Sequence, residues 1–232
     1  MKVAFISGTS IVNSDLFKTW AVKTIKTVFG PVTYQVRGDH VLINRHGYGV
    51  PLPPHSINYR ANLRALADLG YQDIVSLNSV GSLKMELPPG TLVSCSDYVS
   101  LQQGPATFFD QELKGGTPGI ANNLMPQLLA SLSPEFMIHP GKIYVQMRGP
   151  RFETRAEIQI VKDWGDVIGM TAGHEADLCA EIGLRYNSLA IVDNYGNGLI
   201  KDGIDFEKFK KLVKANQLKV NRLFARMLEI LG

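Results

Sequence analysis

The sequence predicts an α/β layer fold, and three observations carry that prediction. Short β-rich runs recur along the chain, helical patterns fall between several of them, and glycine, proline or polar turn residues bound each run. At 232 residues, 45% hydrophobic and 19% charged, the chain is long and apolar enough to bury a sizeable core in one domain spanning 1–232.

The expected strands are KVAFIS from Lys2, HVLINR from His40, DIVSLN from Asp73, TLVSCS from Thr91, KIYVQM from Lys142, DVIGMT from Asp166 and NSLAIVDN from Asn187. Between the second and third lies SINYRANLRALADLG, in which Ile57, Leu63, Leu66 and Leu69 fall on one helical face. Ser56 is its candidate N-cap, and Gly70 ends it. ETRAEIQIVKDWG and HEADLCAEIG read as further helices. The terminal helix carries Phe206, Phe209, Val213, Leu218, Leu223, Met227 and Leu231 as a candidate apolar stripe. Residues 102–140 hold QQGP, KGGTPG and SLSPEF around one short helix, NNLMPQLLASL, and read as an irregular insert of the lid or binding-loop kind.

The formal charge of +3 is mild and dispersed, apart from KFKKLVK on the terminal helix, so no nucleic-acid partner is expected. Cys95 and Cys179 are distant in sequence, lack metal-ligand spacing and read as buried free thiols. Free thiols suit a reducing cytoplasm, which is the expected location; the N-terminal apolar run is too short for a secretion signal and no stretch approaches a membrane span, so a soluble, unprocessed protein without membrane contact is expected.

In open α/β sheets, ligands collect beyond the carboxyl ends of the strands. Those ends here carry SGTS (Ser7 to Ser10), RHG (Arg45 to Gly47), NSVGSL (Asn78 to Leu83), RGPRFET, MTAGHE and DNYGNG. SGTS offers a hydroxyl and glycine amides to an anion, yet has neither the Walker lysine nor the G-x-G-x-x-G pattern. RHG sets a permanent cation beside an imidazole, which fits phosphate oxygens or an ordinary surface turn equally well. GPRFETRAE (Gly149 to Glu157) fits a capped surface helix or a ligand site. No His or Cys cluster has metal-ligand spacing, and no G-x-S-x-G elbow is present, so neither a metal nor a serine nucleophile is expected.

Taken together and in order, SGT, RHG followed by P-x-x-I-N-Y-R-A-N (Pro54 to Asn62), NSVGSL with L-x-P-G (Asn78 to Gly90), GPRFET-x-AE and GMT...E (Gly169 to Glu175) resemble the purine nucleoside and methylthioadenosine phosphorylase family. The resemblance spans nearly the whole chain and is weakest in 102–140 and the terminal helix. It implies a mixed β-sheet flanked by helices, and cleavage of a purine nucleoside by inorganic phosphate without cofactor, metal or covalent enzyme intermediate. It also implies a homotrimer. Carried over residue by residue, Thr9, Arg45, His46, Ser79 and Thr171 match phosphate-holding positions. Met170 matches a residue against the ribose, with Tyr59 nearby, while Phe152, Glu153 and Asn194 match the purine pocket. Asn194 and His46 are the implied catalytic residues, and Ile204 falls about where the 5' end is contacted.

The chemistry follows from these side chains. A 6-oxopurine presents an N1 hydrogen and an O6 acceptor, which suit the Glu153 carboxylate and the Asn194 amide. A 6-aminopurine reverses both polarities, leaving buried groups unmatched at a cost of roughly 1–3 kcal/mol. The resemblance therefore implies inosine, guanosine or 5'-methylthioinosine as substrate, with 5'-methylthioadenosine as the alternative. A nucleosidase or a non-catalytic nucleoside-binding protein of the same fold is the more distant reading. Gly173 and His174 stand where relatives usually carry Val-Pro, and Val50 replaces a polar residue often seen after RHG.

Overall fold

The computed structural model describes residues 1–8, 11, 14–101, 107–112, 114, 117, 119–201 and 206–232. In chain order the elements are β1 (Val3–Ser7), β2 (Ala21–Thr27), β3 (Gly30–Arg37), β4 (His40–Asn44), α1 (Tyr59–Asp68), β5 (Asp73–Ser82), β6 (Leu92–Val99) and α2 (Met125–Leu132). They continue with β7 (Ile138–Gln146), α3 (Arg155–Val161), β8 (Val167–Gly169), α4 (Ala172–Glu181), β9 (Arg185–Tyr195) and α5 (Phe206–Leu231). The fold is a mixed sheet flanked by helices, as expected.

The strands run in the order β2-β3-β4-β1-β5-β8-β7-β6-β9, and β5 also pairs with β9. That last pairing closes β5, β8, β7, β6 and β9 into a ring, while β4, β3 and β2 fan outward from β1. Successive residues of the central strands face opposite sides. Ile6, Ile43 and Ile74 pack with Leu63 and Leu66 of α1 and with Ala176 and Cys179 of α4. Phe5, Leu42 and Val75 pack with Leu128 and Leu132 of α2 and with Val220, Phe224 and Met227 of α5. Leu83, Val145 and Ile168 meet Ile158 and Val161 of α3 in a smaller cluster. Cys95 and Cys179 are free and buried, as expected. Among the described residues no helix is long and apolar enough to cross a membrane.

Several local expectations change. The hairpin β2–β3 was not anticipated from the sequence, because β2 is an exposed edge strand with a Lys/Thr-rich composition and little apolar signal. Asn58, not Ser56, caps α1, since its side chain accepts from the Ala61 amide while Pro54–Ser56 forms a separate short helical turn. Gly70 ends that helix as expected, in a left-handed conformation at φ 75°. β7 begins at Ile138 rather than Lys142, shortening the irregular insert. Leu218 leaves the expected apolar stripe of α5 and is 72% exposed, whereas Val220 and Phe224 are fully buried. Five residues separate Leu218 from Leu223, which turns it about 140° off the buried face.

The change that matters most for the site is at β5. NSVGSL, expected as a loop, is largely strand, and it pairs with β9 with a shift in register between Val80 and Gly81. Val80 faces Val192 and Gly81 faces Asn194, so Asp193 is the extra residue of a β-bulge.

Candidate active site

Arg45 follows β4 directly, and its amide donates to the carbonyl of Ser7 at the end of β1 (2.8 Å). Its guanidinium is buried and forked onto Glu175 of α4, with Nε 2.7 Å from Oε1 and Nη2 3.1 Å from Oε2. Nη2 also donates to Ser76 Oγ (2.6 Å) and Nη1 to the Leu77 carbonyl (3.0 Å). Glu175 accepts further from Ser76 (3.0 Å) and from the Tyr186 hydroxyl (2.6 Å). Burial is the largest single influence and works against the arginine's charge, but attraction to Glu175, its hydrogen bonds and the neighbouring tyrosines together outweigh it, so the pKa is raised.

His46 is held by its own ring. Nδ1 lies 2.7 Å from the Leu52 carbonyl, which makes Nδ1 the protonated nitrogen and leaves Nε2 as the group that can meet a ligand. Burial lowers its pKa, and the Leu52 hydrogen bond only partly offsets this, which favours the neutral ring. Gly8 makes room for the pair: a methyl group there would sit 2.7 Å from the imidazole and 3.2 Å from Arg45 Nη1. Gly8, just past β1, therefore abuts Arg45 and His46. Thr9 itself lies outside the described residues, as does Ile204.

A cavity of about 200 Å³ opens where these elements meet, and it brings together Arg45, His46, Ser79, Phe152, Glu153, Met170, Thr171 and Asn194. Tyr59 does not line it. It lies behind the wall, where its hydroxyl donates to the carbonyls of Pro54 (3.0 Å) and Met170 (3.3 Å) and so steadies the residue beside the cavity. Met170 in turn packs against Gly149, where an added methyl would come within 2.5 Å of its sulfur. Gly149 also has φ 65°, so glycine is required at the head of GPRFET on both counts.

The charges of GPRFETRAE divide into two groups. Thr154 and Glu157 form a capping box at the start of α3, and Arg151 grips Glu157 with two bonds of 2.8 Å on the surface. Glu153 turns the other way: it is 5% exposed, lines the cavity, and has its pKa raised by burial. Phe209 of α5, which sequence reasoning placed in a core stripe, lines the same cavity and meets Phe152 edge to face at 5.4 Å.

The polar groups around the cavity are already partly committed. Asn194 Nδ2 donates to the neighbouring Tyr195 carbonyl (2.8 Å), which leaves its second N–H and its carbonyl oxygen for a ligand. The Thr171 hydroxyl donates to Asn78 Oδ1 (3.1 Å). The first amides of α4 do not serve as an anion cradle, because side chains of β7 take them: Tyr144 accepts from Thr171 and Ala172, and Gln146 accepts from Gly173. Glu175 and Phe209 are the site residues that sequence reasoning missed. The glutamate stood in the GMT...E motif without a role, and only the fold brings it to an arginine 130 residues away.

Residues 5–229 match the family model described as the Phosphorylase superfamily. The chain is 34% identical over 220 residues to an Archaeoglobus fulgidus protein named "Probable 6-oxopurine nucleoside phosphorylase", covering 92% of this chain and 90% of that one. It is 35% identical over 224 residues to "Probable S-methyl-5'-thioinosine phosphorylase" of Methanocaldococcus jannaschii, covering 94% and 88%. Among solved structures it is similar to methylthioadenosine phosphorylase from Schistosoma mansoni in complex with adenine, with TM-score 0.87, 26% identity and coverage of 100% and 92%.

Two variants probe this geometry. Arg45→Ala should lower stability to urea by about 3–5 kcal/mol, since it strands a buried carboxylate, and adding Glu175→Gln should recover part of the loss. Gly8→Ala should keep the fold, with Tm within a few degrees of the wild type, but push the His46 ring and Arg45 Nη1 aside, weakening the binding of an anion such as inorganic phosphate roughly tenfold to a hundredfold by titration calorimetry.

Proposed function

Because the chain belongs to the Phosphorylase superfamily, we infer that it cleaves 6-oxopurine nucleosides with inorganic phosphate as co-substrate, releasing the free purine and a pentose 1-phosphate. The carrying observation is that Glu153 and Asn194 share one cavity with Arg45 and His46. A carboxylate that can only accept suits the N1 hydrogen of a 6-oxopurine, and an amide N–H suits its O6. The relatives named for 6-oxopurine and thioinosine substrates support the same reading.

The C1'–N9 bond breaks as a phosphate oxygen bonds to C1', and the electron pair leaves with the purine. Positive charge grows on the sugar and negative charge on the base. The enzyme accordingly needs an anion below C1' and a donor at the departing purine. Arg45 holds the charged oxygens of the anion, with Thr9 beside it by resemblance; His46 Nε2 and the Thr171 oxygen, whose own protons are turned away, accept from its protonated oxygen or from the pentose, and Asn194 supplies the donor. Phe152 packs on the base and Met170 on the pentose, with Tyr59 behind it. Fixing phosphate and nucleoside in line is worth ~7 kcal/mol or more in well-oriented systems. No cofactor or metal enters these steps. By family resemblance the enzyme works as a homotrimer, and its two buried free thiols suit a reducing cytoplasm.

A 5'-methylthioinosine substrate is the second reading, supported by the relative named for S-methyl-5'-thioinosine and by Phe209 of α5, an apolar residue that lines the cavity. The deciding assay incubates the protein with inosine, guanosine or methylthioinosine, with and without phosphate. Free base should appear only when phosphate is present, and base release in water alone would make the protein a nucleosidase.

The acid limb of the pH profile should report Glu153. Burial raises its pKa above the ordinary carboxylate value, so the ionised acceptor is present above that raised pKa and is lost as pH falls through it. KM for inosine should climb on the acid side, while KM for adenosine falls because a protonated Glu153 can donate to adenine N1. Parallel acid limbs for the two nucleosides would remove Glu153 from base recognition.

A further inference from the structure

Asp193 is the bulge residue opposite Val80 and Gly81, and its carboxylate is turned inward to 1% exposure. Its partners are neutral. The Ser79 hydroxyl donates to Oδ2, and Asn216 Nδ2 of α5 donates to Oδ1 at 2.8 Å. Among the described residues no cation pairs with it. Burial pushes its carboxyl above the usual range, against the pull of those two hydrogen bonds. A buried carboxylate without a cation is costly to keep, yet this one is in direct contact with a residue that lines the cavity.

Its effect on Ser79 is directional. A hydroxyl has one proton and two lone pairs. Once the Ser79 proton is committed to a carboxylate, only lone pairs face the cavity. Thr171 also points its proton away from the ligand, but toward the neutral amide of Asn78, a weaker acceptor from which it can rotate. Ser79 is held more firmly.

We propose that Asp193 is a positioning residue that holds the Ser79 proton inward, so that Ser79 meets the ligand as an acceptor and selects a ligand oxygen that itself carries a proton. Two ligand groups have that chemistry: the one protonated oxygen of monohydrogen phosphate, and a hydroxyl of the pentose. Ser79 thus complements the cationic and donor groups at Arg45, which recognise charged oxygens. The proposal rests on the reading that this cavity takes phosphate and a nucleoside.

Asp193→Asn inverts the device at constant shape. Asn216 Nδ2, which also lies 3.4 Å from the Val192 carbonyl, presents a donor to the Oδ1 position and so draws the new amide oxygen there. The new amide nitrogen then faces Ser79, which must accept from it and turn its own proton into the cavity. Ser79→Ala removes the hydroxyl, and the double variant tests whether Asp193 acts through it.

Titration calorimetry on the full chain, which needs no turnover, compares phosphate with sulfate, which carries no proton at neutral pH, and inosine with 2',3'-dideoxyinosine. The wild type should prefer the proton-bearing member of one pair by roughly tenfold or more, and the pair affected identifies phosphate or pentose as the group read. Asp193→Asn should abolish that preference while its Tm stays at or above that of the wild type, because a buried charge has been removed. Ser79→Ala should abolish it too, and adding Asp193→Asn to Ser79→Ala should change nothing further. The proposal is overturned if the wild type shows no preference in either pair, if Asp193→Asn retains it, or if Asp193→Asn weakens binding equally in the Ser79→Ala background. A wild type that shows the preference but releases no base with phosphate refutes the phosphorylase reading and leaves this one standing. Phosphorolysis without any preference does the reverse.

Discussion

The structure turns on one buried ion pair. Arg45 and Glu175 have side chains only 2% exposed, and removing two such charges from water is costly unless every remaining donor and acceptor is met. Ser76, the Leu77 carbonyl and Tyr186 meet all of them but one Nη1 hydrogen of the arginine, which is left for a ligand. These partners come from β5 and β9, while the ions come from the end of β4 and from α4. One electrostatic requirement therefore ties the outer fan of strands to the closed ring at the point where the cavity opens. Arg45 is accordingly both a wall of the cavity and a structural anchor, with Nε and Nη2 gripping Glu175 and only Nη1 keeping a hydrogen to spare.

The ring explains why the remaining site residues converge. Pairing β5 with both β8 and β9 brings Ser79, the β8 end at Met170 and the β9 end at Asn194 to one rim. The bulge at Asp193 then lets Gly81 pair directly with Asn194. Gly81 has to be small there, because an added methyl would approach Ile168 to 3.0 Å and the Asn194 amide to 3.3 Å. Gly149 does the same for Met170. Glycines in the motifs thus admit close approach between neighbours that carry the chemistry.

The central strands and the first helix were legible because buried runs and one-faced helical spacing are local signals. So were Arg45, His46, Glu153 and Asn194, through motifs in their characteristic order, and the cavity does gather them. What escaped was what only tertiary contact creates. Glu175 is far from Arg45 in sequence, and Phe209 sits on a helix whose apolar residues look alike until the sheet chooses among them. The β2–β3 hairpin escaped for the opposite reason, since a half-solvated edge leaves little hydrophobic trace. The extension of β5 through NSVGSL was hidden because serine and glycine read as turn residues, although a buried ladder accepts serines whose hydroxyls find partners, as Ser79 and Ser82 do, and a glycine where neighbours pack close, as at Gly81.

The ring also fixes where this sheet can be attacked. Among the described residues, the closed set of strands offers no free ladder on that side, and β2 ends the sheet on the other. Its outer row of backbone groups is an open template for any stray extended chain. Lys23 and Lys26 sit on that strand, and β2 is mostly exposed, so a second strand adding there would have to bring acidic residues into register or bury ammonium groups against itself. The weak hydrophobic trace that hid this strand from sequence reasoning is thus also its protection against amyloid-like growth and strand exchange.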